Sequence, residues 1–408
     1  MRYTYRPYVI MGLLGLCQAT ADAETITLAD AVARAQRNHP DIALAEGELA
    51  ADAGRVEAAG LPAHNPELSL GAGLARGGGT FFDWQIGLSQ TVELGGKRAR
   101  RVDASSARRD ATRVRVAQQR FLITVEVGRA FRSALIARER VAAASESARI
   151  ADEVDAAVHA RQAAGGGTQL EANVAIANRG RARRDAVEAG RAYDAARVAL
   201  DAVVCARAGS RLEPDGAVPL FPAPPWTEDQ VAAIALRDRP DIAIARQERV
   251  AARADVELAD ATATPDVNLG AAYARNEGTN VYLGTVSIPL PVRNRNQGER
   301  RVARAELHKA EIGERAIATQ VEREVRAAYR SYVAARAAVE AFDREVIGKL
   351  DENLALAGRS FTSGKISLVE VNVLRRELIE ARNAYLDALT EAVEARAAIE
   401  RSVGAVLE

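Results

Sequence analysis

Two periodicities alternate along the chain. Phe82, Trp84, Ile86, Leu88 and Val92 are apolar and are interleaved with Asp83, Gln85, Gly87 and Ser89, while Leu68, Leu70 and Ala72 alternate with Glu67, Ser69 and Gly71. A two-residue period is the mark of a strand with one apolar and one polar face. Arg76-Gly77-Gly78-Gly79-Thr80 reads as the loop that joins the two strands into a hairpin spanning about 66–94. The second half repeats the pattern over about 265–291: Val267, Leu269, Ala271 and Tyr273, a turn at Asn276–Asn280, then Tyr282, Val286, Ile288 and Leu290.

After each hairpin the period becomes helical. Ile317, Val321, Val325, Tyr329, Tyr332, Val339, Phe342, Val346, Leu350 and Leu354 fall mostly three, four or seven residues apart, which is one sustained apolar stripe from Arg300 to Ser363. Arg100 to about Ala163 is its counterpart, and at ~1.5 Å per residue each rod would extend about 95 Å. Both end at glycine, Ala164-Gly165-Gly166-Gly167 and Ser363-Gly364, with a returning helix expected from near Thr168 and Ser367. Upstream of the hairpins, Thr27-Leu28-Ala29-Asp30 and Thr227-Glu228-Asp229-Gln230 are helix-start signals. Pro40 and Pro240 then break the ladder before a second helix runs to about Gly60 or Thr262.

The chain is therefore written twice. His39-Pro40-Asp41-Ile42-Ala43 returns as Arg239-Pro240-Asp241-Ile242-Ala243 at an offset of 200, and Arg100-Arg101-Val102 returns as Arg300-Arg301-Val302. Glu171-Ala172-Asn173-Val174 answers Glu370-Val371-Asn372-Val373 one residue out of that phase. The expected division is a leader at 1–23, a first repeat at 24–208, a Pro- and Gly-rich linker at 209–226 and a second repeat at 227–408. The fold class is mainly α with a small β part, built from a duplicated unit of helix, β-hairpin and long helical hairpin.

Strands of about ten residues can cross a bilayer when tilted, yet four cannot close a barrel, for which roughly eight is the practical minimum. Open edges in lipid would strand backbone groups at several kcal/mol each, so the hairpins must join those of other protomers. The bland alternative is two surface hairpins on a soluble helical protein.

Composition sharpens this. With 48% hydrophobic but only 4% aromatic residues, the chain lacks the large rings of a compact core, and its Ala, Glu, Arg and Leu suit long helices. Basic and acidic residues number 55 each, so no global field attracts nucleic acid. Arg2 and Arg6, the apolar run Tyr8–Leu16 and the small residues of Ala19–Ala23 form an export leader, with the mature chain beginning at Asp22 or Glu24. Cys17 follows Leu16 where lipid attachment needs a small residue, so lipidation is not expected. Loss of the leader removes Cys17, Met1 and Met11 and leaves Cys205 alone, read as a small buried helix residue.

Two copies of helix, strand hairpin, long helix, turn and returning helix resemble the TolC-type outer-membrane efflux family over essentially the whole mature chain. Leu88-Ser89-Gln90-Thr91-Val92-Glu93-Leu94-Gly95-Gly96-Lys97-Arg98 is similar to the heavy-metal cation-efflux, CzcC-type branch, although members of that branch are often lipidated. The resemblance implies a homotrimer whose hairpins form one 12-strand outer-membrane β-barrel, continued by a periplasmic α-helical coiled-coil barrel. The helical tips around Gly165, Thr168, Gly364 and Ser367 would meet a periplasmic adaptor (membrane fusion protein), which links the duct to an inner-membrane RND pump.

No catalytic constellation is evident, and no cofactor or metal site is expected. Gly95-Gly96-Lys97 has a phosphate-loop flavour, but Arg98 stands where a magnesium-binding hydroxyl belongs, and a glycine joint between strand and rod is the better reading. His39, His64, His159 and His308 lack chelating spacing. Glu171 and Glu370 follow Thr168 and Ser367 by three residues, the spacing of a capping box. The family carries an acidic ring at its second tip, which makes Glu370 and Glu171 candidate gate residues. Val373 stands at the family's second acidic position, and Glu377 is the candidate replacement. Phe82, Trp84 and Tyr282 are candidate aromatic anchors at a membrane boundary, and Pro289, Pro291, Gly95 and Gly96 are candidate bends where strand becomes helix.

The leading reading is a passive outer-membrane duct, not an enzyme, contacting outer-membrane lipid and exporting heavy-metal cations. Drug efflux or type I protein secretion through the same duct is the second reading, and a soluble periplasmic coiled-coil scaffold the third.

Overall fold

The computed structural model describes residues 23–406 apart from 78, 208, 219, 220 and 343. The leader, with Cys17, lies outside the described residues through position 22, as does the side chain of Val346. The first repeat runs β1 (Ala23–Ile26), α1 (Leu28–Asn38), α2 (Pro40–Ala59), β2 (Glu67–Gly77), β3 (Gly79–Val92), α3 (Lys97–Ala163) and α4 (Gln169–Val204). After β4 (Arg211–Pro214) the second runs α5 (Glu228–Asp238), α6 (Pro240–Thr262), β5 (Val267–Asn276), β6 (Thr279–Ser287), α7 (Gln297–Glu340), α8 (Arg344–Thr362) and α9 (Leu368–Val403).

The helix starts follow the expected chemistry. Thr27 and Thr227 accept the backbone N–H groups of Asp30 and Gln230, and Pro40 and Pro240 sit at the first position of α2 and α6, where a missing N–H costs nothing. His39 caps α2, its Nδ1 accepting from the Asp41 N–H at 3.2 Å.

The first rod is unbroken over 67 residues, about 100 Å at 1.5 Å per residue. The second is not. α7 ends at Glu340 and α8 begins at Arg344, so the single stripe expected from Arg300 to Ser363 is two helices. No proline or glycine marks the break. The Phe342 N–H bonds the Val339 carbonyl in a tighter three-residue turn, and the Phe342 ring packs edge-on against Tyr385 of α9 at 5.7 Å between centroids.

Three further expectations change. The linker at 209–226 contains β4, which pairs in parallel with β1 and lays Leu212 into the core formed by Ile26, Ala31, Ala35, Phe131 and Leu200. β6 stops at Ser287, leaving Ile288 and Leu290 outside the strand, because Pro289 and Pro291 have no N–H for a ladder. Cys205 does not pack inside a helix; it caps α4 in the left-handed conformation at φ 53° and is half-buried.

The core is shared between the repeats. One cluster joins α5, α6, α7 and α9 through Val231, Ile242, Val325, Tyr332, Leu389 and Ile399, and it reaches Ile136 of α3. A third cluster gathers the two tips, with Ile150, Val154 and Val158 of α3 meeting Ala172 and Ala175 of α4, Phe361 of α8 and Leu368 of α9. Small side chains such as Ala31, Ala35, Ala134, Ala172 and Ala235 are buried throughout, which lets backbones approach closely without large rings.

Candidate functional site

The four-stranded sheet is antiparallel in the order β2-β3-β5-β6, so β2 and β6 are free edges. Residues paired across strands share a face. Leu70, Ile86, Tyr273 and Tyr282 form one row, flanked by Leu68, Leu88 and Ala271 on one side and by Ala72, Trp84 and Arg275 on the other. Val92, Val267, Leu269, Val286, Leu74 and Phe82 extend this face in both directions. It is open to solvent in the single chain: Tyr282 is 80% and Leu70 73% exposed. The opposite face carries Glu67, Ser69, Gly71, Asp83, Gln85, Gly87, Ser89, Thr91, Asn268, Gly270 and Thr285, with Phe81, Val281 and Leu283 as its large apolar members.

The apolar band has the right height. From Phe82 to Val92 the strand advances ten residues, roughly 34 Å at about 3.4 Å each, and a tilt of about 45° reduces this to about 25 Å, the apolar height of an outer-membrane barrel. Trp84 and Tyr282 both pack on Tyr273, at 5.3 and 5.2 Å between centroids, whereas Phe82 stands one row nearer the hairpin tip. Tyr273 completes the aromatic row; its place in the alternation was the available signal.

The turn expected over Asn276–Asn280 is tighter than that, since strand pairing continues to Asn276 and Thr279. Glu277 and Gly278 alone make the turn, both with positive φ (49° and 80°), which matches the right-handed twist of a hairpin.

At the other end of the sheet, Gly95 and Gly96 both adopt left-handed φ, 72° and 69°, as the chain swings from β3 into α3. A Cβ on Gly95 would lie 2.9 Å from the side chain of Thr264, so the joint requires glycine there. Lys97 is buried and its Nζ lies 2.7 Å from Asp266 Oδ1, which also accepts the Leu94 N–H at 3.1 Å. Glu93 is paired with Arg101, whose guanidinium holds the Glu93 carboxyl below the usual carboxylate range against the opposing effect of burial. Sequence spacing does not reveal the Lys97–Asp266 contact, because the two residues lie 169 positions apart.

The two helical tips are built alike. The Gly165 N–H bonds the Gln162 carbonyl and the Gly166 N–H bonds that of Arg161; likewise Gly364 bonds Phe361 and Lys365 bonds Ser360. These are paired Schellman closures with glycine at φ 80° and 73°. Capping boxes start the returning helices. Glu171 accepts the Thr168 N–H at 2.8 Å, and Glu370 accepts the Ser367 N–H at 2.7 Å. These backbone bonds, followed by those from the hydroxyls, lower both carboxyl pKa values.

Glu370 and Glu377 are exposed, seven residues apart on α9. Glu171 and Ser367 instead line a groove between α4 and α9, together with Leu170, Val369 and Val373. Arg375 also lines it, nine-tenths buried, with its Nη1 3.4 Å from Ser147 Oγ. Arg161 of the first tip lies over the Phe361 ring of the second at 5.1 Å, so the tips are coupled within one chain.

Among the described residues no group of three or more His, Cys, Asp or Glu is placed to hold a metal ion, and no helix is long and apolar enough to cross a membrane.

Residues 31–205 and 231–405 each match the model of the outer membrane efflux protein family, two segments displaced by 200 residues, the interval of the internal repeat. The chain is 29% identical over 388 residues to the cobalt-zinc-cadmium resistance protein CzcC of Cupriavidus metallidurans, covering 94% of this chain and 91% of that protein. Its fold is similar to that of CusC, with a TM-score of 0.74 at 18% identity over 93% of this chain and 92% of that one. It is likewise similar to the outer membrane protein VceC of Vibrio cholerae, with a TM-score of 0.71 at 17% identity over 93% and 97%. A duplicated chain with two strand hairpins on long helical rods, matched in both halves by that one family model, belongs to the outer membrane efflux protein family, whose members are passive channels rather than enzymes.

Proposed function

We propose that the chain is the outer-membrane component of a tripartite RND-type efflux system, working as a homotrimer and exporting heavy-metal cations. The observation that carries this is the unclosed sheet: an exposed apolar face, a polar opposite face and two unpaired edges. In lipid both edges must be paired, so β6 pairs with β2 of a neighbouring copy. Two copies would give eight strands, about the number whose interior side chains fill, whereas three give twelve and leave a lumen lined by the polar face.

The rods then extend the lumen through the periplasm, and the tips at Gly165, Thr168, Gly364 and Ser367 present themselves to a periplasmic adaptor and through it to an inner-membrane pump. Glu370, with Glu377 and Glu171, supplies carboxylates near the tunnel mouth, where three-fold repetition concentrates negative charge and favours cations. Phe82, Trp84 and Tyr282 anchor the barrel at the membrane boundary. The metal cargo is supported by the identity to CzcC.

Deletion of the gene tests the cargo: sensitisation to zinc, cobalt or cadmium and restoration by the wild-type gene are expected. Sensitisation to organic drugs alone would move the cargo to the second reading. Recovery of the mature protein as a water-soluble monomer would remove the duct altogether.

A further inference from the structure

We propose that Arg275, together with Arg76, binds the phosphates of an outer-leaflet glycolipid at the extracellular rim of the barrel. This rests on the reading that the apolar face of the sheet meets membrane lipid. Arg76 continues the series Leu68, Leu70, Ala72, Leu74 at period two, and Arg275 continues Val267, Leu269, Ala271, Tyr273, so both belong to the apolar face. Register fixes the position of Arg275: it stands across from Trp84 on one side and Asn280 on the other, one row beyond the aromatic pair Tyr273 and Tyr282 and one row short of Phe82 at the end of the apolar band, a distance its long stem can span. Arg76 lies across from Thr80, beyond Leu74 and Phe82.

β3 and β6 run the same way in the sheet and lead into α3 and α7, so the hairpin tips lie at the end away from the rods. With the rods in the periplasm, that end faces the outer leaflet.

Charge completes the argument. Most arginines on the rods are matched with acids, as in Arg100 with Glu257, Arg108 with Asp255 and Arg115 with Glu248. Arg76 and Arg275 are exposed, and among the described residues neither has a carboxylate at ion-pairing distance. The nearby Asp83 lies on the opposite face and accepts the Glu277 N–H at 2.8 Å. An arginine on a lipid-facing strand is costly at mid-membrane but tolerated at the boundary, where its stem lies along apolar surface and its head reaches the headgroups. A planar guanidinium with no internal acid suits a phosphate, which it can bind through two parallel hydrogen bonds.

The test reconstitutes wild type and R76Q/R275Q into phosphatidylcholine vesicles, alone or with diphosphorylated lipid A or phosphatidylglycerol, and measures flotation and then the lipid retained after exchange into detergent. Both proteins are expected to float with every vesicle. Wild type should retain lipid A over phosphatidylcholine, and each arginine removed should weaken that preference about fivefold. Equal lipid A retention by wild type and variant overturns the proposal while leaving the membrane reading intact, and so does retention of phosphatidylglycerol equal to that of lipid A. Failure of wild type to float with any vesicle overturns the membrane reading itself. If the double variant alone fails to insert, R76Q and R275Q are measured singly, and an unchanged preference in both overturns the proposal.

Discussion

Lys97 and Asp266 meet at 2.7 Å although they belong to different repeats, and both sit where strand and helix join. Lys97 opens α3 just after β3, while Asp266 immediately precedes β5, the strand hydrogen-bonded to β3. The pair therefore fastens the exit of one hairpin to the entrance of the other. Its lysine side chain is 9% and its aspartate 23% exposed, so breaking it leaves a poorly solvated charge. Asp266→Ala is expected to destabilise by about 3 kcal/mol, and Lys97→Met by less, because Asp266 keeps the Leu94 N–H and more solvent. Denaturant unfolding in detergent checks the order, and equal losses would contradict it.

The capping boxes predict a pH effect of definite sign. Glu171 and Glu370 have folded-state pKa values below the ordinary 4.5. Their contribution is therefore present above that value and is lost as pH falls through the lower folded value. Thr168→Ala or Ser367→Ala should cost about 1 kcal/mol each at neutral pH. Glu171→Gln combined with Glu370→Gln should flatten the acid limb of tip stability, followed by hydrogen exchange at the amides of residues 168 and 367. An unaltered acid limb would show that the boxes are not its source.

On the proposal that Glu370 and Glu377 stand near the tunnel mouth, Glu370→Ala should lower the cation-to-anion permeability ratio in planar bilayers, and Glu370→Ala with Glu377→Ala should lower it further. A selectivity unchanged from wild type would take both residues out of the gate. Because Glu171 lines the α4–α9 groove with Ser367, Glu171→Ala is expected to change selectivity least of the three.

The proposed three-copy barrel would place β2 of one copy beside β6 of the next. In a Cys205→Ser background, cysteines at Leu70 or Ala72 on β2 paired with cysteines at Gly284 or Val286 on β6 should yield covalent trimers on oxidation, since residues opposite each other in a ladder have Cβ atoms about 5 Å apart. Cross-linking that stops at dimers, or fails in every combination, would refute the three-copy barrel.

What could be read without coordinates follows from how local each determinant is. Strand alternation, the prolines at 40 and 240 and the glycines at 165 and 364 act within a few residues, and the elements begin or end there. The capping boxes at Thr168 and Ser367 are equally local, and both form. The break between Glu340 and Arg344 leaves no mark in the sequence, because neither proline nor glycine stands there and the apolar spacing runs on through Phe342, whose ring meets Tyr385 some forty residues away. The β1–β4 pair is hidden for another reason: each strand is four residues long, too short for periodicity to register.

The order of residues alone determined that the protein is two copies of one unit, with strands of one greasy face, rods of helical period and glycine-closed tips, because each of these depends on backbone chemistry and side-chain spacing inside a short window. Only the tertiary structure decided that Lys97 would find Asp266, that Arg161 would lie over Phe361 and that Arg275 would share a row with Trp84. Those relations depend on sheet register and helix packing, which bring together side chains that no local rule connects.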